Sequence, residues 1–93
     1  MNLKFNIPEY GVTQINKALK EVIEDHFSYV RVKGEISEIR EATKGQIYIT
    51  LKDETSILSA VVWEQKKRLL TFEPEIGMEV ILTGRITTWS KFK

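Results

Sequence analysis

The sequence predicts a mainly-β domain with an N-terminal α-helix and a short helix between its third and fourth strands. Two stretches, residues 29–39 and 46–52, alternate apolar and polar side chains with the period of a half-buried strand. Glycine interrupts strand-like stretches at Gly34 and Gly84, as happens where a barrel bends its strands. Residues 13–25 instead repeat apolar side chains with the period of a helix.

Size and composition restrict the class of protein. The chain has 93 residues, of which 42% are hydrophobic, so it suits one small folded domain. Cysteine is absent, which excludes disulfides, thiolate metal sites and thiol nucleophiles. No apolar run reaches the length of a membrane span. The formal net charge is only +1, but residues 28–52 carry five Lys/Arg against three Glu, so positive charge gathers on the predicted strands.

The first predicted element is an amphipathic helix over residues 13–25, with Thr13 as its N-cap. A helix this short is marginal in water, so we expect residues 1–27 to form an N-terminal segment and helix packed on a barrel of residues 28–93. The apolar stripe that would face the barrel consists of Ile15, Ala18, Leu19, Val22 and Ile23.

Two strands follow, joined by a polar loop over residues 40–44. Gly34 predicts a bend or bulge in the first strand. The predicted core-facing residues are Val30, Val32, Gly34 and Ile36 on strand one, and Ile47, Ile49 and Leu51 on strand two. The predicted outward-facing residues are Arg31, Lys33, Glu35 and Ser37 on strand one, and Tyr48, Thr50 and Lys52 on strand two.

The remaining elements are a third strand over residues 57–63, a short helix over 64–70 and a fourth strand beginning at Met78. This order matches the oligonucleotide/oligosaccharide-binding fold (OB-fold), a five-stranded Greek-key β-barrel, up to its last strand. We therefore expect an incomplete OB-fold whose final strand is missing, and a chain that is a fragment or truncated. Four strands leave two open edges, which predicts self-association through an edge.

The sequence gives little support for catalysis. His26 is the only histidine, and no serine or carboxylate stands at a spacing that would make it a catalytic base or metal ligand. The five glycines lack the spacing of a phosphate-binding loop. We therefore expect no catalytic residue, no metal and no cofactor within the chain.

Nucleic-acid binding is better supported. An outward aromatic in mid-strand, Tyr48, can stack a base, although packing beneath a loop or the helix is the alternative. Outward cations beside it would meet phosphates and make binding salt-dependent. Past strand four, Trp89 and Lys91 fall in the loop that flanks the ligand groove of this fold. The predicted nucleic-acid-binding residues are Arg31, Lys33, Tyr48, Thr50, Lys52, Arg85, Trp89 and Lys91.

Four sequence segments, taken together, resemble the N-terminal domain of the exodeoxyribonuclease VII large subunit family. Single segments are less specific, because anticodon-binding domains of aminoacyl-tRNA synthetases share the patterns of the second and third. In those relatives the aromatic at the position of Tyr48 stacks on an anticodon base. The segments are Val12-Thr13-Gln14-Ile15-Asn16, Val30-x-Val32-Lys33-Gly34-Glu35-Ile36-Ser37, Gly45-x-x-Tyr48-x-Thr50-Leu51-Lys52-Asp53 and Gly77-Met78-Glu79-Val80-x-Leu82-x-Gly84-Arg85.

The resemblance implies a bacterial, cytoplasmic hydrolase that degrades single-stranded DNA exonucleolytically from both ends to oligonucleotides. It implies that this domain presents DNA to a C-terminal nuclease domain, and that a small helical subunit joins through the C-terminal region. Neither region is in this chain, so we expect it to be inactive by itself. Arg31 stands where the family commonly has an aromatic. Two alternatives stay open: an RNA- or tRNA-binding domain of the anticodon type, and a protein-interaction module that docks by strand addition.

Overall fold

The structure is a computed structural model that describes residues 6–88. Its elements follow the predicted order. They form two compact units, of which the first holds the described residues 6–30 and 83–88 and the second holds residues 31–82. The elements are helix α1 (Val12–His26), strand β1 (Val30–Glu41), strand β2 (Ile47–Lys52), strand β3 (Ile57–Val62), a 3₁₀ helix (Glu64–Leu69) and strand β4 (Glu79–Gly84).

The strands form one sheet in the order β3-β2-β1-β4, an open half-barrel. β1 pairs antiparallel with β2, and β2 pairs antiparallel with β3. The β2–β3 turn is stabilised by the side chain of Asp53, whose Oδ1 accepts hydrogen bonds of 3.0 Å from the N–H groups of Thr55 and Ser56. Short polar side chains are suited to such turns. Within the described residues, β3 and β4 are therefore the two edges of the sheet.

The hydrophobic core of the second unit follows the predicted alternation. On β2 the side chains of Ile47, Ile49 and Leu51 are buried, with Ile49 only 2% exposed, while Tyr48 and Thr50 between them are half-buried. Ile36 on β1 and Val80 on β4 complete the buried set. Partly buried residues pack around it: Val32, Ile39, Val62, Leu70, Met78 and Leu82.

A β-bulge interrupts β1, but not at the predicted glycine. The pairing runs from Ile36 opposite Leu51 to Glu38 opposite Thr50, so Ser37 is the extra residue. The hydroxyl of Ser37 donates to the carbonyl oxygen of Thr50 at 3.2 Å. Gly34 is instead a position of close approach: a Cβ there would lie 3.1 Å from Leu51 Cβ and 3.2 Å from the carbonyl oxygen of Lys52. Gly34 thus permits close packing, while the extra residue Ser37 reverses which side chains of β1 face the core.

The loop between β1 and β2 is shorter than predicted. Arg40 and Glu41, expected in the loop, pair with β2 as the last residues of β1. The turn is closed by the N–H of Ala42 donating to the carbonyl of Gln46 at 2.8 Å. Gly45 has φ +94°, a left-handed conformation in which L side chains are strained. A Cβ at Gly45 would also lie 2.7 Å from Glu64 Cγ, so glycine is required here.

In the first unit, helix α1 begins one residue earlier than expected and is capped by Gly11 instead of Thr13. The Oε1 atom of Gln14 accepts a hydrogen bond of 2.7 Å from the N–H of Gly11, which is the contribution that a Gln makes in a capping box. After the helix, the Phe27 carbonyl accepts a hydrogen bond of 3.0 Å from the N–H of Ile86. Packing of the helix on the barrel stays a prediction. No helix among residues 6–88 is long and apolar enough to cross a membrane.

Candidate nucleic-acid interface

The candidate interface is the outer face, defined here as the side of β1 and β2 opposite the core. On β2 it presents Tyr48, Thr50 and Lys52, because these residues alternate with the buried aliphatic ones. On β1 it presents Arg31 and Lys33 before the bulge, as expected. Beyond the bulge it presents Glu38 and Arg40, because the extra residue Ser37 reverses the alternation.

The strand register decides which side chains of the outer face are neighbours. It places Arg40 opposite Tyr48, Glu38 opposite Thr50, and Glu35 opposite Lys52. Directly opposed side chains on one face of an antiparallel pair are close enough to interact. The three outward-facing residues of β2 therefore lie opposite one arginine and two glutamates of β1.

The ring of Tyr48 is covered by an arginine. The guanidinium carbon of Arg40 lies over this ring, 4.4 Å from its centroid, which is a cation–π contact. The Tyr48 hydroxyl accepts a hydrogen bond of 3.2 Å from Nε2 of Gln46. Tyr48 is consequently half-buried, whereas the sequence pattern indicated a more exposed ring.

Arg40, which covers Tyr48, is a residue of the outer face that the sequence analysis did not predict for binding. The prediction placed it in a loop, and an uninterrupted alternation would have turned it inward. A signal was present in the sequence: the apolar residues Ile36 and Ile39 are three positions apart rather than two, as a one-residue bulge requires.

The outer face is less uniformly basic than the sequence pattern indicates. Lys33 forms an ion pair with Glu79 of β4, with Nζ and Oε1 3.2 Å apart. Both side chains are about two-thirds exposed, at 69% and 66%, so this pair contributes little to stability. The second ion pair among residues 6–88 joins Lys67 of the 3₁₀ helix to Glu41 of β1, at 2.6 Å. In the described part of the chain, Arg31, Arg40 and Lys52 thus form no ion pair.

One part of the outer face is acidic. An open depression of about 470 Å³ lies where β1, β4 and the β2–β3 turn meet. Four carboxylates and two ammonium groups line it, so its charge does not favour a phosphate. The charged residues concerned are Lys33, Lys52, Glu35, Asp53, Glu54 and Glu79. Arg31 and Arg40, which lie at opposite ends of β1, are the cations of the outer face that do not line this depression.

The remaining predicted residues lie outside the second unit or outside the described residues. Arg85 is exposed and belongs to the first unit, just after β4 ends at Gly84. Trp89 and Lys91 lie outside the described residues. Residues 6–88 hold no group of three or more His, Asp or Glu side chains arranged to bind a metal ion.

Comparison with protein families supports a nucleic-acid-binding fold. Residues 10–92 match the family described as "OB-fold nucleic acid binding domain". This match covers most of the chain, including all four strands of the sheet. The OB-fold expected from the order of elements is therefore confirmed.

Curated relatives carry one recurrent name. The chain is 48% identical over 84 residues to a protein of Rhodospirillum centenum named "Exodeoxyribonuclease 7 large subunit". Proteins of the same name from Chelativorans sp. and Bartonella quintana are 49% identical over 85 residues and 47% identical over 96 residues. These matches cover 90%, 90% and 96% of this chain but only 16%, 16% and 20% of the relatives. The resemblance inferred from the motifs is confirmed, and the chain spans between a sixth and a fifth of these relatives.

Proposed function

Because the chain belongs to the family of OB-fold nucleic acid binding domains, we propose that it is the single-stranded-DNA-binding module of an exodeoxyribonuclease VII large subunit. The observation that carries this proposal is the outer face of β1 and β2. There, a tyrosine under an arginine stands on the same face as further cations. Single-stranded nucleic acid is bound by such combinations, because bases stack on planar groups while cations track the phosphates.

Each part of the outer face would contribute differently. Arg31 and Arg40, which have no ion pair in the described residues, would contact phosphates. Lys52 also has no ion pair there, but it lines the acidic depression, so its contact with a phosphate would be weaker. Lys33 would contribute less, since Glu79 already neutralises part of its charge. Stacking is tolerant of base identity, so this module would bind DNA of many sequences.

In the whole subunit, we propose that the module presents single-stranded DNA to a nuclease domain elsewhere in the chain. The parent enzyme would hydrolyse DNA from both ends to oligonucleotides in the bacterial cytoplasm, with the small subunit bound to another part of the large subunit. The names of the relatives support an exodeoxyribonuclease with a large subunit, and the family resemblance implies the two directions, the products, the compartment and the small subunit. The module itself would then act by binding alone.

The first test is the salt dependence of DNA binding. We expect a fluorescent oligo-dT to bind the chain in low salt and to dissociate steadily as salt rises. For single strands the slope of log K against log salt is about −0.7 per neutralised phosphate. With up to four cations on the outer face, the slope should lie between roughly −1.5 and −3. Fluorescence anisotropy at several salt concentrations measures it.

Two further results of the same titration would be informative. Absence of binding at low salt, by a chain whose circular dichroism shows it folded, would contradict the proposal. A clear preference for a structured RNA over oligo-dT of equal length would instead favour an RNA-binding domain of the anticodon type.

We also propose that the chain self-associates through the edge of β3. This strand has the sequence Ile-Leu-Ser-Ala-Val-Val, without the charges or proline that usually protect an exposed edge. Ile57 is 74% exposed and Leu58 is 39% exposed. Such an edge pairs readily with another strand, because its backbone N–H and C=O groups need partners.

Light scattering tests this association. The average mass should rise with protein concentration and stay raised in high salt, because backbone pairing and apolar contacts are not screened. Ile57→Lys should shift the equilibrium toward the monomer, whereas Ile76→Lys, at a 68% exposed position outside the strands, should not. A monomer of constant mass at all concentrations would refute the association.

A further inference from the structure

We propose that Arg40, held against Tyr48, is the surface on which a base stacks, and that the tyrosine ring serves as its support. This inference rests on the proposed function and assigns a binding role to a residue outside the predicted set. It starts from one contact: the Arg40 guanidinium lies over the Tyr48 ring, 4.4 Å from the centroid. A base approaching this side of the ring meets the guanidinium first.

Exposure separates the roles of the two residues. Tyr48 is half-buried, and its hydroxyl is held by Gln46 at 3.2 Å. Arg40 is exposed and lies directly opposite Tyr48 in the β1–β2 register. The pair thus has a fixed inner layer and a solvent-facing outer layer, and the outer layer is the one available to a ligand.

A guanidinium group is chemically suited to this position. It is planar, and bases stack on arginine planes as they do on aromatic rings. Its positive charge can also attract a neighbouring phosphate. Contact with the tyrosine ring restricts the arginine before binding, so less conformational freedom is lost when the ligand arrives.

The carboxylates near Arg40 form no ion pair with it in the described structure, so its guanidinium is available to a ligand. The adjacent Glu41 is paired with Lys67 through a distance of 2.6 Å. Glu38, the next residue of β1 on the outer face, forms no ion pair with Arg40 in the described structure. The guanidinium is therefore fixed by the ring rather than by a carboxylate, and its charge is not neutralised locally.

The competing interpretation is that Arg40 is a cover that must leave before a base can reach Tyr48. The two interpretations predict opposite effects for Arg40→Lys, which keeps the charge and removes the plane. If Arg40 is the stacking surface, this variant weakens base-dependent binding. If Arg40 is a cover, the variant exposes the ring and strengthens base-dependent binding.

The experiment compares two probes of equal length, oligo-dT and an oligonucleotide of abasic sites, bound to the wild-type chain and to Arg40→Lys. The ratio of their affinities isolates the contribution of the bases, because both probes carry the same phosphates. We expect Arg40→Lys to reduce this ratio roughly 5- to 150-fold, the range for loss of one stacking contact, and to leave the salt slope unchanged. The matched control is Arg68→Lys, an exposed arginine of the 3₁₀ helix, which should leave the ratio unchanged.

Other outcomes are equally definite. An unchanged or increased ratio in Arg40→Lys, with oligo-dT still bound, would overturn the role of Arg40 and leave the proposed function standing. Failure of the wild-type chain to bind either probe would overturn the proposed function itself. Tyr48→Phe retains the ring that supports Arg40 but lacks the hydroxyl that Gln46 contacts. Its ratio of oligo-dT affinity to abasic-oligonucleotide affinity should therefore stay close to that of the wild type.

Discussion

Ile49→Ala is expected to lower the free energy of unfolding by about 2–5 kcal/mol, the range observed when a large buried aliphatic side chain is truncated. Ile49 lies in the middle of β2, which has a strand on each side, and it is only 2% exposed. The sheet around it cannot collapse into the resulting cavity without disturbing both neighbouring strands. A domain of this size has a small stability margin, so the variant should be partly unfolded at physiological temperature.

The chain offers a matched control for this prediction. Ile57→Ala makes the same chemical change on the neighbouring strand, but at a position that is 74% exposed. It should cost less than about 1 kcal/mol, because little apolar area returns to water. Urea unfolding followed by circular dichroism, at a protein concentration low enough to suppress association, measures both variants. Equal losses in the two variants would mean that Ile49 is not in the core of the sheet.

The second large effect concerns binding. Tyr48→Ala should weaken oligo-dT binding by about 1–3 kcal/mol, the range for loss of one base-stacking contact. The substitution removes the ring and, with it, the support that positions Arg40. Adding Lys33→Ala should lower the affinity further by only a small factor, because Lys33 is already paired with Glu79. Fluorescence anisotropy at a fixed low salt concentration measures these differences.

The controls for this second prediction separate binding from folding. Tyr10→Ala removes a half-exposed tyrosine that precedes α1 and should leave affinity unchanged. Circular dichroism of Tyr48→Ala should remain that of a folded domain, since the ring is only half-buried. If the folded Tyr48→Ala and Lys33→Ala double variant bound oligo-dT as the wild type does, the outer face of β1 and β2 would not be the DNA-binding surface.

Prediction from the sequence was most successful where the pattern is strictly local. On β2 the alternation of Ile47, Ile49 and Leu51 with polar or aromatic residues identified the buried face, and the structure buries all three. Aliphatic side chains at every second position can be buried together only in a strand, so no tertiary information is needed. The order of the four strands and the helices was predicted for the same reason.

Element ends and caps were less accurate, because several residues compete for the same role. Thr13 is a residue type that suits an N-cap, yet Gly11 caps α1. The side chain of Gln14 accepts a hydrogen bond from the N–H of Gly11 there. Gly34 was expected at a bulge because glycine is common there, yet in the structure it permits close packing against Leu51. In the first case a residue type that suits an N-cap was not the residue that caps the helix. In the second case a glycine expected at a bulge instead permits close packing.

The candidate site depended on a β-bulge whose position is established by the pairing of β1 with β2. A single extra residue at Ser37 reverses the alternation of β1, so Arg40 faces outward opposite Tyr48. Register also puts Glu35 opposite Lys52, and strand order puts Glu79 within 3.2 Å of Lys33, which reduces the positive charge of the face. In each case the two partners lie on different strands.

The sequence by itself thus determined the class of fold, the buried face of β2 and the residue types available for binding. It did so because burial of apolar side chains imposes a period that is visible in one strand at a time. Only the tertiary structure decided which charges cancel and which arginine covers Tyr48. Those properties depend on distances between strands, and a shift of one residue in register turns each side chain to the opposite face.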